Sequence, residues 1–238
     1  MNFVWLNNQF GNQLWQIAVA TFFFGRGNFA AITSYAVPLK GIGFHAFLHV
    51  PCFPFNRETS ALAPQTVYVK RGTPLPPGTN SIIDGQLQDV AWLRGLNIQQ
   101  LLTFDGIDND FRIVHVRGGD YFTSKSHKPY VKNRDWYLKA IAAVPDMRKH
   151  QDKIILCTND GKYAKKILPE FPILDVPPLT AFRLMMGCRS LVISASSFSW
   201  WAGYLNPSAQ IAAPSRWCGA GEDSAKYYGH SRLMFIPD

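Results

Sequence analysis

The second half of this chain alternates in a way few folds can satisfy. Apolar runs of strand length, "RIVHV", "KIILCT" and "SLVIS", each end on polar residues and give way to a segment with helical spacing. The pattern predicts strand 111 to 117, helix 134 to 144, strand 153 to 158, helices 161 to 168 and 180 to 188, strand 190 to 194 and helix 198 to 205. Strands alternating with helices imply a parallel sheet covered on both faces, so the fold class is α/β. The first half is less regular. "VWLNNQFGNQLWQIAVATFFFGRG" reads as a short strand, a loop and a helix carrying Leu14, Ile17, Ala18, Thr21 and Phe22 at helical spacing, with Gly25 as its stop. Residues 35 to 80 are rich in Pro and Gly and predict short strands and loops, and "NSIIDGQLQDVAWLRGL" a strand, a turn at Asp84-Gly85 and a helix. "FDGIDND" is a polar connector, which sets a boundary near Asp110 between an N-terminal domain, 1–110, and a C-terminal one, 111–238.

At 238 residues, 47% of them hydrophobic, the chain can bury a core in each domain. Cys52, Cys157, Cys188 and Cys218 are scattered without Cys-x-x-Cys spacing, which argues against a disulfide framework or a zinc site. No apolar run approaches the roughly 18 to 20 residues of a membrane span, and the N-terminus lacks the features of a signal peptide. The expectation is a cytoplasmic protein. The net charge of +8 is unevenly placed, with six basic and six acidic residues up to Asp110 and 18 against 10 beyond it. A basic second half fits an anionic ligand, although solubility alone also accounts for it. No basic run or RNA-binding motif accompanies the charge, so a nucleic-acid partner is not expected.

Four segments carry candidate chemistry. In "FRIVHVRGGDYF", His115 and Arg117 lie two apart on a strand and share a face at its carboxyl end, where open α/β sheets bind ligands. Arg117 can clamp a phosphate with parallel hydrogen bonds, and Gly118 and Gly119 can let backbone N–H groups approach an anion. Asp120 can orient Arg117 or act in the chemistry; a strand-end Arg–Asp ion pair beside a glycine turn is an equal account. In "LVISASSFSWWAGYLNP", an apolar strand runs into Ser194, Ser196, Ser197 and Ser199 ahead of an aromatic helix, which makes an anion site or a helix cap over a tryptophan core. "KIILCTNDGKYAKKI" ends its strand at Asn159 and Asp160, where Asp160 caps the next helix or, with Asn159, meets a purine edge. Gly11-Asn12-Gln13 precedes the first helix, and Asn12 is its N-cap or a ligand contact. Asp108-Asn109-Asp110 has a metal-binding Asp-x-Asp form, but a strand length separates it from Arg117, so it reads as a solvated connector.

Together and in this order, the segments resemble the inverting α-1,2-fucosyltransferases that use GDP-fucose. "FGNQLWQIA" is similar to the family's N-terminal Gly-Asn-Gln segment, "HVRGGDY" to its His-x-Arg-Arg-x-Asp motif, and "DGQLQD" and "DWYLKAI" to two intervening segments. "ILCTND" and "CRSLVISASSFSWWAGYLN" resemble its last two motifs, so the likeness spans roughly residues 2 to 206. The chain departs from the pattern at Gly118, where the family has a second arginine, at Asn8 and Gln9, where it has a glycine pair, and at Ala195, where it has an asparagine. Losing one arginine removes a charge-assisted contact of about 1.5 to 3 kcal/mol, for which Lys125, Lys128 or Arg183 are candidate substitutes.

The resemblance implies a GT-B-like fold of two Rossmann-like halves facing a cleft, with an acceptor-side domain at 1–110 and a GDP-fucose-binding domain at 111–238. It implies that Arg117 holds the donor β-phosphate with His115 beside it, and that Asp160, with Asn159, meets guanine. Ser196, Ser197 and Ser199 then face the diphosphate or fucose, and Asn12 lies near the sugar. The catalytic candidates are Arg117, Asp120 and His115, with Asp84 a further candidate base. The implied reaction moves L-fucose to the 2-OH of a terminal β-galactoside, with no cofactor and no metal, and a glycolipid acceptor would bring the protein to a membrane surface. The alternatives are a transferase for another nucleotide sugar and a protein that binds glycan or nucleotide without turnover.

Overall fold

The computed structural model describes residues 2–6, 10–33, 52–54, 65–68, 81–84, 88–217, 225 and 228–238. The chain forms two compact units, Met1–Phe104 and Asp105–Asp238, so the observed division precedes Asp110 by several residues. The reason is that the connector is bonded into the second unit. Ile107 N donates to Arg183 O at 2.9 Å, and Asn109 Nδ2 donates to Leu184 O at 2.9 Å. A Cβ added at Gly187 would lie 2.1 Å from Ile107 O, so only glycine admits this approach. The connector expected to be solvated is thus docked on a helix, with Asp108 and Asp110 exposed and Asn109 half-buried.

In the first unit β1 (Asn2–Leu6), β2 (Phe29–Thr33), β3 (Cys52–Pro54), β4 (Gln65–Tyr68) and β5 (Ser81–Asp84) form a parallel sheet in the order β3-β2-β1-β5-β4. Helix α1 (Phe10–Phe24) buries Leu14, Trp15, Ile17, Ala18 and Val19, together with the polar Gln13 and Gln16. A helix apolar nearly all round is a core helix. It ends where Gly25, at φ 77, returns its N–H to Thr21 O at 2.9 Å, as read from the sequence. Gly11 and Asn12 lie inside α1 rather than ahead of it, which rules out Asn12 as the N-cap. The helix expected after β5 is a pair of 3₁₀ turns, Val90–Leu93 and Ile98–Leu101, because the Gly95 turn and the polar stretch around it interrupt the apolar spacing. Asn8, Gln9 and Gly85 lie outside the described residues.

The second unit builds a parallel sheet from β6 (Arg112–Val116), β7 (Ile154–Thr158), β8 (Ser190–Val192), β9 (Gln210–Pro214) and β10 (Leu233–Ile236). Along one edge-to-edge line the order is β7-β6-β8-β9-β10, so chain direction across the sheet reverses between β6 and β8. Strand β6 is buried on both faces, as a central parallel strand must be. Val114 and Val116 face a core that includes Trp136, Tyr137 and Ile141 of α3 (Arg134–Ala143) and Met147 of α4 (Pro145–Lys149). On the other face, α6 (Pro178–Gly187) packs against α7 (Ser197–Leu205), with Phe182 and Phe198 edge-to-face at 5.2 Å. Two short pieces complete the unit: α2 (Asp120–Thr123) after β6 and α5 (Gly161–Ile167) after β7.

Asparagines close two helix ends, and one of them, a buried amide, ties two segments together. Asn133 Oδ1 accepts from Trp136 N at 3.0 Å to start α3. Fully buried Asn206 donates to Met185 O and Cys188 O and accepts from Ser208 N and Ala209 N, which fixes the end of α7 against the end of α6. Trp200 and Trp201 are both fully buried, with Trp200 Nε1 donating to Tyr228 O at 3.0 Å. Cys157 and Cys188 are buried free thiols, their pKa pushed up to about 12 by burial.

Candidate active site

Open α/β sheets bind ligands beyond the carboxyl ends of their strands, at the point where strand order reverses. In the second unit that point lies between β6 and β8, and His115 and Ser194 meet there, Nδ1 to Oγ at 2.7 Å. The His115 ring is buried and lies 6.0 Å from that of Phe198 at the start of α7. Burial, reinforced by the nearby Arg117 charge, lowers its pKa to about 3. His115 is therefore neutral across the physiological range and a weak proton acceptor, which makes it a poor general base.

Arg117 follows at the end of β6. Its Nη2 donates to Asp120 Oδ2 at 2.9 Å and lies 2.8 Å from Oδ1, and its guanidinium carbon sits 4.6 Å from the centroid of the Tyr121 ring. The arginine is largely buried while the Asp120 side chain is 57% exposed, so the pair faces solvent through its carboxylate. Tyr121 was given no role from the sequence. Its ring carries the arginine, its hydroxyl donates to Ala195 O at 2.9 Å, and the His127 ring lies 4.7 Å from it. An aromatic residue directly after the arginine–aspartate motif was the signal available for it.

The glycine turn differs from expectation. Gly118 N donates to Asn159 Oδ1 at 3.0 Å and Gly119 N to Asp160 Oδ2 at 2.9 Å, so the two N–H groups expected to face an anion are held by side chains of the neighbouring strand end. Asp160 is also the N-cap of α5, its Oδ1 accepting from Tyr163 N at 3.0 Å. Both oxygens of the residue expected to meet guanine are thus engaged within the protein, and so is Asn159.

The serines separate into different roles. Ser194 belongs to His115. Ser196 occupies the N-cap position of α7 without a side-chain cap, and its backbone N donates to Ser194 O at 2.7 Å. Ser197 is half-buried in the first turn of α7. Ser199, expected to face the donor, is fully buried with Oγ donating to Ser196 O at 3.3 Å, because two residues, about 200° round the helix, carry it from the open side at Ser197 to the packed side. Arg183, a candidate substitute for the missing arginine, is tied by Nε to Asp105 O at 2.8 Å, whereas Lys125 and Lys128 are exposed on the segment after α2. Asn12 belongs to the first unit, where its Oδ1 accepts from Gln88 Nε2 at 2.7 Å. Asp84 ends β5 of that unit.

Two parallel α/β sheets in succession, the second with an arginine and a serine-lined helix start at its switch point, make the GT-B architecture of nucleotide-sugar glycosyltransferases. The fold is similar to fucosyltransferase NodZ from Bradyrhizobium, with a TM-score of 0.54 at 16% identity over 87% of this chain and 93% of that one. It is also similar to heptosyltransferase WaaC of E. coli with ADP, with a TM-score of 0.55 at 11% identity over 99% and 92%. The chain belongs to glycosyl transferase family 11, whose model matches residues 86–219. A curated relative, the O-antigen biosynthesis glycosyltransferase WbnK of Escherichia coli, is 29% identical over 125 residues. That match takes in 48% of this chain and 40% of WbnK, so the chain spans about two-fifths of that relative's length.

Proposed function

We propose that this chain transfers L-fucose from GDP-fucose to the 2-OH of a terminal β-galactoside, with inversion at the anomeric carbon and without a metal. The observation that carries the reading is Arg117 at the carboxyl end of β6, beside His115 and Ser194 at the switch point, in a member of family 11. The motif likeness supports the 2-OH linkage, and the fold shared with a fucosyltransferase is consistent with the donor.

In this reaction the bond from C1 to the β-phosphate oxygen breaks as the acceptor oxygen bonds to C1, and the acceptor proton passes to a base. Negative charge grows on the departing GDP, so positioned positive charge does most of the catalysis. A diphosphate exchanges with Asp120 for Arg117, and the released carboxylate becomes available. With His115 held neutral by burial, Asp120 and Asp84 are the remaining candidate bases. No helix among the described residues is long and apolar enough to cross a membrane. A cytoplasmic protein that meets a membrane only through a glycolipid acceptor fits this reading.

Incubation with GDP-fucose and a panel of β-galactosides in EDTA, followed by mass spectrometry, tests it: a fucosylated galactoside is the expected outcome, and no product with any of them sinks the linkage. A second reading, a donor with a different base, draws on Asp160, whose oxygens are engaged by Gly119 N and Tyr163 N. Competition among GDP, UDP, ADP and CDP separates the two, since preference for UDP or ADP would favour the second.

A further inference from the structure

Asn159 stands out among the residues around Arg117 because its amide is fully occupied by one turn. Oδ1 accepts from Gly118 N at 3.0 Å, while Nδ2 donates to Gly118 O at 3.3 Å and to Asp120 Oδ1 at 3.3 Å. A primary amide has two N–H donors, and both are engaged. The amide orientation follows from the turn itself, since the Gly118 N–H requires an acceptor and its carbonyl a donor. We infer that Asn159 is a positioning residue: it acts on Arg117 through the glycine turn and Asp120 and does not itself touch the donor.

The surroundings of the turn agree. Gly119 has φ 60 and ψ −114, and a Cβ there would lie 2.9 Å from Asn159 Nδ2, so the turn takes a glycine-only conformation and closes directly on the amide. Asp160 holds the next N–H, that of Gly119. At Gly118 a Cβ would lie 3.0 Å from Asp160 Cβ and 3.2 Å from Phe122 Cε2. The orientation of Arg117 is thus set from the residue that follows β7, through a chain that runs from Asn159 to Asp120 to Arg117. An arginine held at one angle loses less freedom when it clamps a phosphate, so the contribution appears in donor binding.

The inference on donor binding rests on the proposed function, but the clamp can be measured without any donor. In Asn159→Ala, amide exchange at Gly118 should accelerate about 10-fold or more while exchange in β6 stays as in the unchanged protein. GDP affinity should fall about 10-fold, with the ranking of GDP, UDP and ADP preserved. Asn159→Asp keeps the acceptor for Gly118 N and sets a second carboxylate against Asp120. Two such carboxylates share a proton as pH falls, and the shared proton restores a donor toward Asp120. The other charged groups facing this pair are Arg117, from the same turn, and Asp160, at the start of α5; His115 is neutral. The GDP-binding deficit of Asn159→Asp should therefore shrink between pH 8 and pH 5.5, while that of Asn159→Ala stays flat, a contrast that a purely structural role would not produce.

Unchanged exchange at Gly118 in Asn159→Ala overturns the clamp whatever the donor, and so does unchanged GDP affinity. A deficit of Asn159→Asp that does not vary with pH removes the link through Asp120. If the unchanged protein binds no GDP, the proposed function fails and the clamp stands or falls on the exchange data alone.

Discussion

Strand β6 carries an arginine near each end, and their surroundings differ. At the amino end Arg112, its side chain 6% exposed, donates to both oxygens of Asp146 at 2.8 and 2.9 Å and to Asp110 at 3.0 Å. Ser190 Oγ adds a bond to Asp146 at 2.5 Å, and Lys153 pairs with Asp110. This end is closed by partners from β8, α4 and the connector. At the carboxyl end Arg117 pairs with the exposed carboxylate of Asp120 three residues on and lies on the face of Tyr121. Two arginines near the ends of one strand thus sit differently: one lies in a buried ion cluster on the α4 side, and the other pairs with a carboxylate that faces solvent. Strand geometry sets the contrast, because side chains on opposite faces at opposite ends meet different layers of the domain.

The comparison breaks if the two alanine variants behave alike. Arg117→Ala should lower transfer by about 100-fold or more and sharply weaken GDP binding, with a stability change of about 1 kcal/mol at most. Arg112→Ala should instead strip Asp146 of its arginine and cost about 3 kcal/mol, a drop in Tm of about 6 to 12 °C, while the folded fraction binds GDP normally. Steady-state kinetics and thermal melts on both variants decide this, and near-normal turnover in Arg117→Ala would falsify the site assignment.

Acid sharpens the contrast. The Asp146 carboxyl is held below its ordinary range chiefly by the Arg112 hydrogen bond, so its stabilising effect is present above about pH 4 and is lost as pH falls through the folded value. His115 also has a lowered folded pKa, about 3 against an ordinary 6.5, but here the neutral form is favoured. Its effect is complete above pH 6.5 and is lost progressively below that, because the unfolded chain takes up the proton first. The carboxyl end should therefore weaken first on acidification, by about 2 to 3 kcal/mol by pH 4.5. His230, lowered to about 4 by burial, titrates in the same window. His115→Gln should remove part of the decline between pH 6.5 and 4.5 and leave the loss below pH 4 intact, as read from denaturant midpoints; an identical profile would place the early decline elsewhere.

The smallest expected effect is that of Tyr121→Phe. It removes the bond to Ala195 O while leaving the ring against Arg117, so stability should fall by about 1 kcal/mol and GDP affinity by less than about threefold. A larger loss of affinity would mean that the arginine is oriented through the serine loop as well as through Asn159 and Asp120.

Much of the second unit was legible in the sequence. The runs read as strand 111 to 117 and helix 134 to 144 are observed as Arg112–Val116 and Arg134–Ala143, because periodicity and the asparagine before α3 are local signals. "QIAAP" and "LMFI" were assigned no strand although they form β9 and β10. Runs of four or five residues are too short to show a period, and neither is followed by a segment with helical spacing to mark a strand–helix unit. The candidate site was legible as a set of residue types at strand ends, and Arg117, His115, Asp120 and Asn159 are brought together there. Their partners were not legible. That Ser194 belongs to His115 and Ser199 to the interior depends on a contact 79 residues apart and on which side of a helix a serine falls.

By itself, then, the sequence determined the α/β class, the elements of the second unit and the family motifs, since propensity, periodicity and short motifs are carried by neighbours along the chain. Only the tertiary structure decided the strand order and the switch point, the docking of the connector on α6, and the closing of the glycine turn by Asn159 and Asp160. Each of these is a hydrogen bond or close approach between segments tens of residues apart, formed because buried N–H and C=O groups must find partners wherever packing sets them.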